Sequence, residues 1–437
     1  MPRIVADLHI HGRFAGGSSR NLTIPQISRF ATSKGVNVIG TGDFTYQKWL
    51  KEIKESLEPD GTGLLKTEGN SNLRFIIQTE VNIRFPTDAE EKSKRIHQII
   101  LSPSLDTVEQ INETLSRWGS LEGDARPTLT VSAAELVEAV AEIDDYIETI
   151  PAHIFTPWFS LFGSFSGFDS IRDCYDTASK HIHAVETGLS ADPTYLWALS
   201  QLDNLAIVSN SDLHSYYPNR IGREVTLFDL PKLTYREIID AIRSNDDRIT
   251  MTLEFRPKEG KYNYDGCRSS RHKGGEDVVL HPREFSKYGG RCPICRRKIT
   301  TGVLHRVYEL ADREIGFKPE GAKPFKHIVP LTEVISYAIG IKSPWSKEVL
   351  QMYFILIKAF GSEYDIWLNE KITKDHLSQF VDENIADAIH SVKQGEFTFS
   401  PPGHDGEYGV LRIGVKQEDI EKEDTFQISQ KRLDSFI

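Results

Sequence analysis

The sequence Ile4-Val5-Ala6-Asp7-Leu8-His9-Ile10-His11 decides the fold and places the first candidate site in it. Its β-branched and apolar residues predict a buried strand over residues 4–9, which ends in a His-x-His pair. Because side chains alternate across a strand, His9 and His11 point the same way and can reach one metal ion. A second pair of this kind, Asp212-Leu213-His214, follows another apolar run.

The same pattern extends over the first 250 residues. Short β-branched runs predict strands over 4–9, 36–41, 73–80, 96–101, 147–154, 182–186 and 205–209. Apolar positions that recur at three and four residues predict helices over 24–34, 105–118 and 133–143. Alternating strands and helices in this number favour an α/β barrel of seven strands, with functional residues at the carboxyl ends of the strands.

Metal-binding side chains stand at or near the ends of these predicted strands. Glu80, His97 and His153 add to the two i, i+2 pairs. A single histidine is usually a satisfied structural residue, but this many nitrogen and oxygen ligands at strand ends would be costly to bury without a metal. Mixed imidazole and carboxylate ligands suit zinc, manganese or iron better than magnesium or calcium.

The composition is that of an ordinary globular protein and excludes disordered and fibrous classes. A length of 437 residues suggests about three domains, and 39% hydrophobic with 26% charged residues is a usual balance. We expect no signal peptide and no membrane span, and hence a soluble, cytoplasmic protein. Four cysteines are too few for a disulfide framework.

Charge and composition change after residue 255. Residues 256–313 carry 14 Lys/Arg against 7 Asp/Glu, although the net charge of the chain is −11. A basic insert suggests contact with a polyanion, but such a segment is more often only a solvated face. Helical periodicity returns over 331–339, 347–360 and 377–392, followed by a predicted strand near 408–413. We expect a barrel (1–255), a small basic metal-binding module (256–313), a mainly helical domain (314–415) and a flexible tail (416–437).

The order of these motifs resembles the PHP (polymerase and histidinol phosphatase) superfamily. The resemblance rests on His9-Ile10-His11, Gly42-Asp43, Glu80, His97, Pro151-Ala152-His153 and Ser211-Asp212-Leu213-His214. It implies a distorted seven-stranded barrel that holds two or three divalent metals, zinc first and manganese or magnesium as alternatives, and hydrolyses phosphoesters. The implied catalytic residues are His9, His11, Glu80, Asp212 and His214. The implied metal ligands are His9, His11, Asp43, Glu80, His97, His153, Asp212 and His214, with Glu80 as a bridge.

A narrower set of motifs is similar to the endonuclease Q family over nearly the whole chain. These motifs span residues 156–164, 166–170, 186–190, 221–224, 302–307 and 405–409. Members of that family nick DNA on the 5′ side of deaminated bases (uracil, hypoxanthine, xanthine) and of abasic sites. The resemblance implies this activity on damaged DNA, performed by a metal-activated hydroxide on a flipped-out lesion, and a location at the nucleoid.

An aromatic, glycine-containing loop over residues 156–170 is a candidate base pocket. Enzymes that act on extruded bases stack them on aromatic rings and read their Watson–Crick edge by hydrogen bonds, for which glycines let backbone amides approach. Some of its aromatic residues are expected to cap the barrel core instead. The candidate pocket residues are Trp158, Phe159, Phe162, Gly163, Ser164, Gly167 and Phe168.

Three cysteines form an incomplete zinc ribbon in the basic insert. Cys292 and Cys295 make one Cys-x-x-Cys knuckle, whereas the first knuckle implied by the family reads Cys267-Arg268-Ser269-Ser270. His272 or His281 can complete a structural zinc site, and the alternative is that the metal has been lost. We expect five basic residues to contact DNA phosphates without reading sequence: Arg268, Arg271, Arg296, Arg297 and Lys298.

The last eight residues carry a separate motif. Gln430, Leu433, Phe436 and Ile437 have the spacing of a PIP box, which docks on sliding clamps as a short helix in a groove. The resemblance implies a sliding clamp as a partner, and the alternative is a frayed tail.

Two further functions remain open beside the nuclease. A phosphatase acting on a small phosphorylated metabolite would share the metal site but would not need a basic module. A non-catalytic DNA-binding scaffold would need neither the metals nor the near-complete ligand set.

Overall fold

All seven strands predicted in the first 210 residues are present in the computed structural model, which describes residues 3–69, 72–86, 93–272, 275–416 and 419. They are Arg3–Asp7, Val38–Gly40, Arg74–Arg84, Arg95–Ser102, Glu148–Pro151, Ala184–Glu186 and Ala206–Val208. Further strands are Glu58–Pro59, Leu65–Lys66, Thr128–Thr130, Val225–Asp229, Ile249–Glu254, Asp265–Cys267, Val278–Leu280, Phe325–His327, Phe397–Phe399 and Leu411–Ile413.

The strands form one large sheet and a separate parallel pair around the site. Arg3–Asp7 pairs in parallel with Val38–Gly40, which pairs in parallel with Arg74–Arg84. Ala184–Glu186 and Ala206–Val208 form the separate pair. Hydrogen bonds from Ile154 N to Glu186 O (3.1 Å) and from His11 N to Leu213 O (2.9 Å) link this pair's ends to the eleven-stranded sheet. These links lie in the segments that carry the predicted metal ligands.

The regular alternation of parallel strands expected from the sequence is wrong in two places. Arg95–Ser102 is antiparallel to both Arg74–Arg84 and Glu148–Pro151. The connection over residues 85–94 is too short for the crossover that parallel strands need. Val225–Asp229 and Ile249–Glu254 are strands that we did not predict, and they extend the sheet antiparallel beside Arg3–Asp7. Their alternating apolar residues carry the signal that could have identified them.

The helices agree with the predicted ones except near the C-terminus. The helix predicted over 377–392 is confirmed only as Glu383–Lys393, because Asp382 adopts an extended backbone (φ −61°, ψ 153°) and caps its start. Leu377 instead ends the preceding short helix Lys374–Leu377. The described helices are Ile24–Lys34, Gln47–Ser56, Leu105–Leu115, Ala133–Ala141, Ile171–Tyr175, Pro193–Leu196, Tyr235–Ser244, Pro282–Phe285, Val303–Leu310, Leu331–Ala338, Lys347–Phe360, Glu363–Leu368, Lys374–Leu377 and Glu383–Lys393. In the part of the chain that the structure describes, no helix has the length and hydropathy to cross a membrane.

The basic insert forms a small unit around a two-stranded sheet. Asp265–Cys267 pairs antiparallel with Val278–Leu280. Among the residues that the structure describes, the buried members of its separate apolar cluster are Cys267, Val278, Leu280, Cys292 and Ile299. A cluster of this size does not stabilise a fold alone, so a metal staple suits it.

The C-terminal part of the chain packs on the first 255 residues and adds a strand to the large sheet. Phe325–His327 pairs in parallel with Ile249–Glu254 of that sheet. Lys34 Nζ, at the end of the first helix, lies 2.7 Å from Glu363 Oε1, and both side chains are fully buried. Glu363 Oε1 also accepts hydrogen bonds from Leu331 N and Trp367 Nε1. A buried ion pair therefore joins the two parts.

We predict that Lys34→Met destabilises the protein by about 3–5 kcal/mol, because it leaves the Glu363 carboxylate buried without a countercharge. Adding Glu363→Gln should recover much of the loss. The control Lys54→Ala breaks the exposed pair with Glu109, which solvent screens, and should leave the unfolding midpoint nearly unchanged. Urea unfolding midpoints report these effects, and equal effects of Lys34→Met and Lys54→Ala would contradict the assignment.

Candidate functional site

The first polar cluster lies where the first strand ends. His9, His11 and Glu80 are fully buried, and each offers a ligand atom to one common point. His11 Nε2 lies 3.3 Å from Glu80 Oε2, and His9 Nε2 lies 3.7 Å from Glu80 Oε1. Both imidazoles thus reach the same carboxylate, as their i, i+2 spacing predicted, although they lie just beyond the observed strand Arg3–Asp7.

Glu80 also belongs to a second cluster, together with His97 and His153. His97 Nδ1 lies 2.8 Å and His153 Nε2 lies 3.1 Å from Glu80 Oε1. The two histidines are 5% and 7% exposed. Glu80 is therefore shared between two groups of potential ligands, as expected of a bridging carboxylate.

Asp212 and His214 form a third group with His11. Asp212 Oδ1 lies 3.1 Å from His11 Nε2, and the His11 and His214 rings lie 4.4 Å apart. His214 and Asp212 are partly exposed, unlike the first two groups. This third group is the one that faces solvent.

The clusters fit divalent metal ions by their donor chemistry and by their electrostatics. Nε2 of His9 is buried and has no hydrogen-bond partner within the described residues. Burial lowers the pKa of His9, but the negative charges of Glu186, Glu80 and Asp212 outweigh it and raise that pKa to about 9. The carboxylates therefore create a strong preference for positive charge, which metal binding would satisfy as protons leave.

Backbone strain accompanies the ligands. Asp43, His153 and Asp212 adopt positive φ of 39°, 33° and 46°, a region that non-glycine residues seldom occupy. Such strain is commonly found where surrounding structure holds a functional geometry. At Gly188 a Cβ atom would lie 2.3 Å from that of His153, so close packing also fixes this ligand.

Glu186 is a site residue that the sequence analysis missed as such. It lies at the end of Ala184–Glu186, and its carboxylate accepts hydrogen bonds from His9 Nδ1 (3.0 Å), His153 N (2.7 Å) and Asn210 Nδ2 (2.8 Å). Glu186 thus orients ligands of both buried groups from behind. Its position at a strand end was the available signal.

Asp43 has the same supporting position, contrary to its expected role as a metal ligand. Its oxygens accept hydrogen bonds from His11 Nδ1 (2.9 Å) and from Gly12 N (2.6 Å). Both contacts lie on the side of His11 that faces away from Glu80. Asp43 therefore fixes the His11 ring instead of joining a cluster.

Arg126 is a second residue that sequence reasoning did not identify. Its Nη1 lies 3.1 Å from Glu80 Oε2. No local pattern in its loop marks Arg126 as part of the site. It contributes a fixed positive charge beside the ligands.

The aromatic loop divides its residues between core and surface. Phe162 and Phe168 are buried in the hydrophobic core, contrary to their expected place in a pocket. Trp158 and Phe165 are 37% and 48% exposed and stack on each other at 4.8 Å. Phe159 stacks on the His97 ring at 5.4 Å with an interplanar angle of 4°. The accessible aromatic surface thus begins directly at a candidate ligand.

The glycines of this loop serve its own packing. Gly163 N and Gly167 N donate to Ser160 O and Gly163 O, so these two amides do not face a base as expected. A Cβ at Gly167 would lie 2.4 Å from Gly163 N. Ser164 is exposed. Arg306, from the helix Val303–Leu310, holds the loop by donating to Phe162 O (3.1 Å) and Phe168 O (3.0 Å).

The insert contains a Cys/His cluster of four potential ligands. His272 Nε2 lies 3.2 Å from Cys267 Sγ and 3.3 Å from Cys292 Sγ, and Cys295 Sγ lies 3.7 Å from Cys267 Sγ. His281 does not join them, because its Nδ1 accepts from Arg283 N at a helix start. The structure thus brings His272, of the two candidates, to the three cysteines.

The basic residues of the insert differ in their freedom to meet phosphates. Arg296, Arg297 and Lys298 are exposed, and Arg268 is exposed beside Glu407. Arg271 instead lies 3.1 Å from Asp405 Oδ2 and donates to Thr300 Oγ1, so its charge is already paired. The candidate tail residues Gln430, Leu433, Phe436 and Ile437 lie outside the described residues.

Comparisons with known proteins agree with these features. The structure of the lesion-specific endonuclease PfuEndoQ from Pyrococcus furiosus is similar with a TM-score of 0.82 and 29% identity, covering 96% of this chain and 99% of that one. A structure of endonuclease Q in complex with a 27-mer duplex substrate with an abasic lesion at the active site has a TM-score of 0.81 and 29% identity, covering 95% and 98%. The chain is similar to endonuclease Q over nearly its whole length. The likeness to endonuclease Q thus extends beyond the barrel to the insert and the C-terminal helices.

Sequence relatives add two findings. The MJ0043 C-terminal domain family matches residues 330–396. Protein MJ0043 from Methanocaldococcus jannaschii is 35% identical over 272 residues, which cover 61% of this chain and 32% of that protein. The chain therefore spans about a third of the length of this relative.

We predict that Glu186→Gln lowers the metal affinity of the barrel site by about 10–100-fold. The Glu186 carboxylate now accepts hydrogen bonds from three donors. The N–H₂ group of a glutamine would face one of these donors and could not accept its hydrogen bond. Chelator competition, with metal content by mass spectrometry, measures the change. Glu109→Gln, which alters an exposed carboxylate, is the matched control, and equal affinities of the two variants would refute the role of Glu186.

The Cys/His cluster gives a separate prediction. Cys292→Ser with Cys295→Ser, or His272→Ala alone, should remove one equivalent of bound metal, whereas His281→Ala should retain it. Metal content per chain is the measurement. Loss of the equivalent in His281→Ala but not in His272→Ala would reverse the ligand assignment.

Proposed function

We propose that the protein is a DNA repair endonuclease that hydrolyses the phosphodiester bond 5′ of a deaminated base or an abasic site. The similarity to endonuclease Q over nearly the whole chain supports this proposal. The single structural observation that carries it is the Glu80 carboxylate shared between two buried groups of ligands, with the half-buried ring of Phe159 stacked on His97 of the second group. The ligands that would support phosphodiester hydrolysis and the aromatic ring that would contact an extruded base thus lie side by side.

We assign two metals to the buried groups and a third to the group at His214. His9, His11, Glu80 and Asp212 would hold one, Glu80, His97 and His153 the second, and zinc is the metal we favour, with manganese or magnesium as alternatives. Bound there, divalent ions would supply Lewis acidity and neutralise phosphate charge. The closed seven-stranded barrel of the PHP superfamily is part of the same proposal.

The protein's own side chains would hold the substrate beside these ligands. Arg126, next to Glu80, would attract the phosphate whose bond is cleaved. Trp158 and Phe159 would stack an extruded uracil, hypoxanthine or xanthine, a contact worth about 1–3 kcal/mol per base. Arg306 would keep the loop in place, since two of its carbonyl oxygens accept from this side chain.

The other parts of the chain extend the contact with DNA. A structural zinc in the Cys/His cluster would rigidify the insert, whose exposed Arg296, Arg297 and Lys298 would meet phosphates. Trp158 contacts Tyr262 of the insert edge-on at 5.0 Å, so the aromatic loop and the insert adjoin. The proposal has three further parts. They are docking of the 416–437 tail on a sliding clamp, location at the nucleoid and the division of the chain into four domains.

We predict that the protein nicks a uracil-containing duplex and that Asp212→Asn reduces nicking to background without loss of duplex binding. The substitution removes a ligand charge at the site mouth but no core packing. The assay should include hypoxanthine and abasic duplexes, an undamaged duplex and p-nitrophenyl phosphate. Turnover of p-nitrophenyl phosphate without any nicking would favour a phosphatase, and absence of both activities in the metal-loaded protein would favour a binding scaffold.

A further inference from the structure

Arg223 lies beside the solvent-facing group of candidate ligands, Asp212 and His214. Its Nε donates a hydrogen bond to Ser211 O at 2.9 Å, and Ser211 directly precedes Asp212 in the chain. On another side, its guanidinium carbon lies 5.8 Å from the centroid of the Phe255 ring. The arginine is thus attached to the segment that carries a candidate ligand.

A buried carboxylate fixes the backbone of Arg223 relative to that segment. Asp7 Oδ1 accepts a hydrogen bond from Ser211 N (2.9 Å), and Asp7 Oδ2 accepts one from Gly222 N (3.2 Å). The carbonyl oxygen of Gly222 in turn accepts from the Tyr364 hydroxyl, which belongs to the C-terminal part of the chain. The position of Arg223 is therefore set by the fold before a ligand binds, as a preorganised site requires.

The guanidinium of Arg223 has donors that are not used within the described residues. Arg223 is partly exposed, its two Nη atoms reach solvent, and no residue in the described part of the chain accepts a hydrogen bond from them. By contrast, Nη1 of Arg126 already lies 3.1 Å from Glu80 Oε2. The parallel N–H groups of a planar guanidinium match two oxygens of one phosphate. Arg223 can therefore bind a phosphate without breaking an existing ion pair.

The surrounding protein compensates the charge of Arg223 only in part. Burial lowers its pKa, and the positive charge of Arg220 lowers it further. The carboxylates that oppose this effect are those of Asp212, Glu224 and Glu259. Burial raises the pKa of Glu259 to about 8 and that of Glu224 well above its ordinary value, so both carry less negative charge at neutral pH than an exposed glutamate. A metal ion bound at Asp212 would take up the third charge, and an anion would then complete the surroundings of Arg223.

We propose that Arg223 is a further catalytic residue, which binds the non-bridging oxygens of the phosphate whose bond is cleaved. Its attachment beside Asp212 places its donors at the open group of ligands, where a substrate phosphate enters. A fixed cation at these oxygens stabilises the negative charge that they carry in the transition state. This inference rests on the proposed function, because it takes a DNA phosphodiester as the substrate.

The first test removes the charge from either side of the proposed contact and measures equilibrium binding. It uses the Asp212→Asn protein, so that it does not depend on cleavage, and uracil-containing duplexes in which one backbone phosphate at a time is replaced by an uncharged methylphosphonate. Adding Arg223→Gln should weaken binding of the unsubstituted duplex about 10-fold. This loss should disappear when the methylphosphonate stands immediately 5′ of the uracil, and it should persist when the methylphosphonate stands elsewhere.

The second test separates contact with the substrate from support of the ligands, in the protein with intact Asp212. Arg223→Gln should retain the metal content and the thermal midpoint of the unmodified protein, yet slow single-turnover nicking about 100-fold. Arg223→Lys should recover part of this loss, because lysine keeps the charge but not the two parallel donors. The matched control is Arg412→Gln, since Arg412 Nε also donates to a backbone oxygen, Ser400 O at 3.3 Å, and this variant should nick as the unmodified protein does.

A binding loss that is equal for every methylphosphonate duplex, or that disappears at a different position, would overturn the contact with the cleaved phosphate. Loss of metal from folded Arg223→Gln would also overturn it, because the arginine would then support the ligands instead. If Arg223→Gln does not fold, Arg223→Lys takes its place in both tests. A failure of the proposed function looks different, because the unmodified protein would not nick damaged duplexes. Nicking that Arg223→Gln leaves unchanged would refute this inference alone.

Discussion

The carboxylate of Glu80 is fully buried, and its charge has to be balanced inside the protein. Its partners come from four separate segments: His11 after the first strand, His97 on a neighbouring strand, His153 after Glu148–Pro151, and Arg126 in a loop. These segments can meet only if the strand ends gather around one point. The order and direction of the strands are thus tied to this single buried charge.

The residues that support the ligands from behind are explained by the same buried carboxylate. Imidazole rings that share one carboxylate must be held in the correct orientation, and Glu186 and Asp43 hold His9 and His11 by their Nδ1 atoms. The positive φ of Asp43, His153 and Asp212 is the local cost of this arrangement. Around it lie the aromatic loop and the Cys/His insert, which adjoin through Trp158 and Tyr262.

The sequence alone predicted parts of the candidate site where the relevant geometry is local. The i, i+2 spacing of His9 and His11 predicted their common direction, and the close Cys292/Cys295 pair predicted a metal cluster. The sequence did not predict which side chains are buried, because tertiary packing decides this. Phe162 and Trp158 share one aromatic loop, yet only Phe162 is buried. Glu186 meets His9 across 177 residues, and neither spacing nor periodicity carries that information. The helix predicted over 377–392 was placed too early because apolar periodicity continues across Asp382, where the backbone is extended.

The most direct test of the central claim is anomalous diffraction from crystals of the metal-loaded protein. The account predicts two anomalous peaks within coordination distance of Glu80, one beside His9 and His11 and the other beside His97 and His153. In crystals of Glu80→Gln, at least one of these peaks should be lost. A metal-loaded structure in which no anomalous peak contacts Glu80, or in which Glu80→Gln retains both peaks unchanged, would contradict the account.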